Sequence, residues 1–214
     1  METGAKPPRP PQLSADPGVE QDMEVAATLE RDAQLMLRVR EGDETSFALL
    51  LERHRGPVVN FLYRMVGNQS VSEELAQEVF LRVYKSRSTY EASAKFTTWL
   101  YRIATHMALN AIRDGKKEKG QQSLDQELPD GRERQVPDTS RTVEEKMVAQ
   151  VRVREVRAAI DALPEKQRAA VLMHKYQGLG YAQISKALEC SESATKSLLF
   201  RAYETLRSRL AHMA

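Results

Sequence analysis

The chain of 214 residues has one cysteine, Cys190. One thiol makes neither an internal disulfide nor a four-ligand zinc site. A chain so poor in cysteine is expected in the cytoplasm, where thiols stay reduced. Its four histidines, His54, His106, His174 and His212, have no metal-ligand spacing. It has no glycine-rich phosphate loop and no nucleophile beside a placed base. An enzyme with a helical catalytic domain would need such a cluster, so no catalytic residue, metal, cofactor or small-molecule substrate is expected. No apolar run approaches the ~20 residues that span a bilayer. The N-terminus lacks the apolar stretch and cleavage pattern of a secretory leader, so neither export nor membrane insertion is expected. Nothing alternates apolar and polar with period two, so no sheet is expected. A charge excess is missing too: 32 Lys and Arg face 30 Asp and Glu, for a net charge of +2. Nucleic-acid binders often carry a clear basic excess, but a whole-chain sum hides segregation.

The charges are segregated. Residues 1–30 hold two cations against six carboxylates, a net −4. Residues 31–113 hold twelve against nine, a net +3. Residues 114–144 hold six against eight, a net −2, and residues 145–214 hold twelve against seven, a net +5. Two basic blocks thus alternate with two acidic ones. Five of the nine prolines (Pro7, Pro8, Pro10, Pro11 and Pro17) lie in the first seventeen residues, without aromatics or apolar periodicity. Residues 1–30 are therefore expected to be a disordered extension, with helix beginning as early as Met23.

From about Asp32 to Arg113 the pattern is helical. Leu35, Met36 and Val39, then Phe47, Leu50, Leu51 and His54, then Val58, Phe61, Leu62, Met65 and Val66 each fall on one helix face. Gly42-Asp43, Gly56-Pro57 and Gly67-Asn68 read as turns or helix starts. Ser72 opens a helix with Leu75, Val79, Phe80 and Val83 inward. A last helix starts near Lys95, with Phe96, Trp99, Leu100, Ile103 and Met107 inward. The pattern stops over 114–144, where charged residues and Pro129, Gly131 and Pro137 predict a linker of 31 residues. Such a coil spans roughly 30 Å root-mean-square and about 100 Å fully extended. Helical pattern resumes near Glu145. Val148, Val151, Val156, Ile160 and Leu163 form one face, and Pro164 suits the first turn of a new helix, which Gly178 and Gly180 end. The expected fold is all-α: two small helical domains, 31–113 and 145–214, joined by a flexible linker.

The sharpest local pattern runs from Tyr181 to Leu206. A short helix, Tyr181–Leu188, is followed by Glu189-Cys190-Ser191 and a second helix. Ser191 is a good N-cap, because its hydroxyl can accept from an orphan backbone amide. Ile184, Leu188, Ala194, Leu198 and Leu199 close the angle between the helices. This is a helix-turn-helix pattern, whose second helix enters the major groove. Its expected outward residues, Thr195, Lys196, Ser197, Phe200 and Arg201, suit phosphate, base-edge and thymine-methyl contacts. Cys190, in the turn, reads as an inert small residue.

Three stretches here resemble region four of bacterial sigma factors: Leu163–Arg168, Gly180–Ser185 and Thr195–Ala202. The extracytoplasmic-function group is the nearest match. The first block is similar to region two of the same family. Gly42-Asp43 with Phe47 and Arg53-His54 resembles its start, and Glu73–Tyr84 its most characteristic stretch. Phe96–Ala104 resembles the helix that reads the downstream promoter element. The two motifs occur in the family's order over 32–113 and 145–211.

The resemblance implies an initiation factor that joins core RNA polymerase and promoter DNA. Glu74, Gln77, Glu78 and Leu81 would meet the clamp coiled coil, and region four the flap. The minus-ten element, melted to a single strand, would meet Tyr90, Lys95, Thr98, Arg102, Thr105, His106, Leu109 and Arg113. The family often has Asn where this chain has His106; either can hydrogen-bond a base or phosphate. The minus-thirty-five element would meet the second helix of the helix-turn-helix as duplex. Such factors are commonly held by an anti-sigma partner. The competing reading is a helix-turn-helix regulator that never joins polymerase.

Overall fold

The computed structural model describes residues 31–121 and 143–213, with side chains over 31–116 and 150–213. Among the described residues there is no strand, and the fold is all-α. The extension before residue 31, its possible helix near Met23, and residues 122–142 lie outside them.

The described residues of the first half form four helices. Helix α1 (31–40) leads into α2 (Glu44–Val66), α3 (Gln69–Lys85), a short 3-10 turn (Arg87–Thr89) and α4 (Phe96–Gln121). Asp43 caps α2: its carboxylate accepts from the Ser46 amide at 3.2 Å and the Ser46 hydroxyl at 2.7 Å. Gly67 ends α2 at φ +78°, a left-handed conformation that glycine adopts without a Cβ penalty. Gly56-Pro57, expected as a break, lies inside α2. Both residues are exposed, while Leu50, Val58 and Phe61 of the same helix are fully buried. Packing on that face outweighs the roughly 3 kcal/mol cost of an interior proline. Helix α3 begins before the expected Ser72, because the Asn68 side chain caps it by accepting from the Val71 amide at 3.1 Å.

The core of this half gathers Met36, Val39, Leu50, Phe61, Leu62, Val79, Phe80, Phe96 and Leu100. A charged cluster lies against it. Asp32, 1% exposed, accepts from Arg53 and stands 2.8 Å from His54 Nε2. A buried carboxylate needs such partners, and this cluster ties α1 to α2.

The second half holds α5 (Val143–Asp161), α6 (Glu165–Tyr176), α7 (Tyr181–Leu188) and α8 (Glu192–Arg209). Pro164 stands at the N-cap of α6 rather than within its first turn. Ile160, Leu163, Ala170, Leu172, Met173, Ile184, Leu188, Leu199 and Ala202 are buried together. Val151, expected inward, is 53% exposed. It lies beyond the stretch of α5 that ends in the buried Ala159 and Ile160.

Two features depart from the expected organisation. Helix α4 does not stop at Arg113 but runs to Gln121. Its charged end, Lys116 to Lys119, is made of good helix formers, so solvation there does not imply coil. The two halves also pack on one another, α4 against α7 and α2 against α6. Arg168 of α6 donates to the Met65 carbonyl of α2 at 2.8 Å and to the Asp161 and Leu163 carbonyls of its own half.

Candidate nucleic-acid interface

Helix α8 presents the first surface. The Ser191 hydroxyl accepts from the Ala194 amide at 3.1 Å, which starts the helix where the sequence places it. Lys196, Ser197, Phe200 and Arg201 are exposed, Phe200 at 68%. A phenyl ring so exposed has no packing role within the chain, which suits it to a partner. Thr195 does not belong with them: it is fully buried. Its hydroxyl donates to the Ser191 carbonyl at 3.2 Å and lies 3.3 Å from Cys190 Sγ. Thr195, Leu199 and Ala202 are spaced as one helix stripe, and that stripe faces the core.

Helix α4 presents the second surface. Arg102, His106 and Arg113 are exposed and Leu109 is half-buried; Lys95 is exposed just before the helix. Thr98 and Thr105, expected outward, are 3% and 1% exposed. Thr105 is covered from the other half of the chain, its hydroxyl 4.0 Å from Met173 Sδ. Tyr90, expected to offer its ring to a base, is 2% exposed. It packs 5.1 Å from Trp99 and 6.3 Å from Phe96 between ring centroids, and Arg40 donates to its carbonyl at 3.3 Å. Burial, helped by the charge of Asp32, pushes its phenol above the ordinary tyrosine range. The hydroxyls of Tyr90, Thr97 and Thr98 are buried without a partner. Trp99, expected in the core, is half-buried beside them.

The third surface is the outer face of α3. Glu74, Gln77 and Leu81 are exposed, Leu81 at 51%. Glu78 is partly buried and accepts from Arg82 at 2.9 Å, four residues on. The apolar stripe of the same helix (Ala76, Val79, Phe80, Val83) is buried, so the face divides cleanly into packed and free sides.

The halves meet around α4. A cleft of about 1430 Å³ runs between them. One wall carries Trp99, Arg102, His106, Leu109 and Arg113; the other carries Glu165, Lys166, Leu188 and Glu189. Arg102 donates to Glu189 at 2.9 Å, Lys116 to Glu165, and the Tyr101 hydroxyl to Gln177 Oε1. The Lys116 ammonium holds the Glu165 carboxyl below the usual range. Burial raises the Tyr101 phenol far above its ordinary value, so it stays a donor. The sequence reading gave none of Gln177, Glu165 and Glu189 a role. Glu189 had one local signal: it occupies the helix-turn-helix turn at φ +52°, a conformation glycine favours. Among the described residues no three His, Cys, Asp or Glu side chains converge as metal ligands. No described helix is long and apolar enough to cross a membrane.

Comparison with known proteins gives these surfaces a context. Residues 50–118 match the family model for sigma-70 region 2, and residues 153–206 the model for sigma-70 region 4. The ECF RNA polymerase sigma factor SigW of Bacillus subtilis is 30% identical over 178 residues, covering 81% of this chain and 93% of that protein. SigX of the same organism is 32% identical over 170 residues, covering 78% and 84%. The RNA polymerase sigma-H factor of Pseudomonas aeruginosa is 29% identical over 186 residues, covering 86% and 95%. Among solved structures, CnrH in complex with the cytosolic domain of CnrY shares the fold at a TM-score of 0.60 and 17% identity, covering 86% of this chain and 99% of that one. The sigma factor RpoE in complex with the anti-sigma factor NepR from Bartonella quintana does so at 0.60 and 16%, covering 77% and 96%.

Proposed function

The chain belongs to the extracytoplasmic-function sigma factors of bacterial RNA polymerase, and from that premise we propose how it divides promoter reading between its two modules. As a sigma factor it acts in transcription initiation. Residues 31–113 serve as the region two module and residues 145–214 as the region four module. Region four reads the minus-thirty-five element as duplex, with Lys196 on phosphate and Arg201 and Phe200 toward base edges in the major groove. Region two holds the melted minus-ten strand on the exposed side of α4, through Arg102, His106, Leu109 and Arg113. Thr98, Thr105 and Tyr90 support that face from beneath. The α3 face, with Glu74, Gln77, Glu78 and Leu81, docks on the clamp of core polymerase, and an anti-sigma partner regulates the free protein. The protein works in the cytoplasm, where polymerase and promoter are.

No catalytic residue is required of the sigma factor. Holding unpaired DNA more tightly than paired DNA favours the open state by differential affinity. The single observation that carries this reading is the pair of basic, exposed helix faces on α4 and α8, one in each matched module. A regulator acting without polymerase leaves the α3 face unexplained and is not favoured. Run-off transcription with core polymerase over a promoter library is the test. Promoter-specific transcripts dependent on this chain are expected; a polymerase complex that starts nowhere in particular would refute the reading.

A further inference from the structure

Away from the faces assigned to DNA and polymerase, we propose a binding site for a nucleoside polyphosphate at the junction of α2, α5 and α6, with the base against Tyr176 and the phosphates held by Arg64, Arg152 and Arg157.

The three helices enclose a cavity of about 360 Å³, within the range of small-ligand pockets. Helix α2 contributes Arg64 near its end. Helix α5 contributes Arg152, Val156, Arg157 and Ile160, and α6 its last residue, Tyr176. Among the described residues that line the cavity, three carry a guanidinium and none a carboxylate. Asp161 lies outside the lining. It stands 3.9 Å from Arg157 and also feels the charges of Arg168 and Arg64. Burial raises its carboxyl above the ordinary value in spite of these three arginines, so it gives up its proton less readily than a surface aspartate. Like charges gathered around one cavity repel one another, and a bound polyanion removes that cost.

Two of the arginines are held in a particular attitude. The Arg64 guanidinium carbon lies 4.2 Å from the centroid of the Tyr176 ring, and that of Arg157 lies 4.4 Å from the centroid of the Tyr63 ring. A ring holds a guanidinium by its flat face and directs the N–H groups sideways. Donors in that plane match two oxygens of a phosphate. Arg152 is exposed and adds a third charge.

The rest of the lining decides what carries the phosphates. Ile160 is buried, Val156 is half-buried, and Tyr176 is 47% exposed. A tyrosine ring so exposed can stack on a base. An inorganic anion would use the arginines and leave these apolar groups in water. A purely apolar ligand would cover the guanidinium groups without matching their charge. A flat heterocycle bearing several phosphates satisfies both halves of the lining. Such a ligand touches both modules, because Arg64 belongs to region two and the other lining residues to region four. Its binding therefore stabilises the folded chain as a whole.

Isothermal titration calorimetry on the full chain, without polymerase or DNA, tests the site with ATP, GTP, inorganic triphosphate and adenosine. ATP and GTP should each bind once per chain and raise its melting temperature. Inorganic triphosphate lacks the base and adenosine lacks the charge, so each should bind at least tenfold more weakly. Arg152→Ala should weaken ATP binding at least fivefold. Tyr176→Leu should do the same while leaving inorganic triphosphate within twofold of wild type. Both residues are exposed, so both variants should keep their helicity by circular dichroism. Arg154→Ala removes an exposed charge of α5 that does not line the cavity, and should change ATP binding less than twofold. Absence of saturable ATP binding, inorganic triphosphate bound as tightly as ATP, or an equal loss in Arg154→Ala and Arg152→Ala would each overturn the proposal. Promoter-specific transcription is read in a separate assay, so a failure of the proposed function and a failure of this site are told apart.

Discussion

Arg201 and Thr195 lie on the same helix and face opposite environments, so they should fail in different ways. Arg201 is exposed on α8, and its planar fork matches a guanine edge. Arg201→Ala is expected to cost about 1–3 kcal/mol in binding the minus-thirty-five duplex, with thermal stability unchanged; a gel-shift titration checks it. Thr195 is buried and satisfied by the Ser191 carbonyl and Cys190. Thr195→Val keeps the volume and loses the hydroxyl. It is expected to cost about 1 kcal/mol of stability, read by urea denaturation, and to leave duplex affinity per folded molecule intact. Thr195 stands next in sequence to the exposed Lys196 and Ser197 without sharing their face. The stripe it shares with Leu199 and Ala202 was visible in the same residues and is the better guide, because helical period and not proximity decides the face.

At the scale of the helices, α3 and α2 carry separate tests. The buried stripe of α3 leaves Gln77 and Glu78 with no part in the core. The double variant Gln77→Ala, Glu78→Ala is expected to weaken binding to core polymerase at least tenfold while helicity by circular dichroism is retained; pull-down with core enzyme reads this directly. Helix α2 depends on its Asp43 cap. The hydrogen bonds from Ser46 hold that carboxyl below its ordinary value. A depressed carboxyl contributes stability that is present above its unfolded pKa and lost as pH falls through the folded value. Urea midpoints measured from neutral pH downward should therefore fall through the carboxylate range, and less steeply in Asp43→Asn, whose amide caps without titrating. The capping signal at Ser191 is legible in sequence because one side chain and one backbone amide three residues on make the whole interaction. The proline in α2 does not break the helix, because a local penalty of a few kcal/mol is small beside the packing of Leu50, Val58 and Phe61, which lie on both sides of it.

The whole molecule adds what no helix holds alone. Arg168 donates to a carbonyl of the other half and to two of its own. Arg168→Leu leaves those acceptors without their donor, and roughly 2 kcal/mol of stability should be lost. Hydrogen exchange should show faster opening of the end of α2 near Met65, not only of region four. The Arg102–Glu189 pair joins residues 87 apart in sequence. Neither residue has a local pattern that names the other, since each reads as an ordinary surface charge.

The residues alone determined the helical class and most of the helices in order, the alternation of two acidic with two basic segments, the helix-turn-helix and its cap, and the family resemblance that the family models match. These follow from interactions within a few turns: apolar period, capping, and the backbone limits of glycine and proline. Which side chains are free to meet DNA was decided only by the tertiary structure. Thr98, Thr105 and Tyr90 are withdrawn, and Arg102 is occupied by Glu189, because exposure depends on what packs across the chain. A net charge of +2 therefore conceals two layers: cations segregated into modules by sequence, and carboxylates of one module set against cations of the other by the fold.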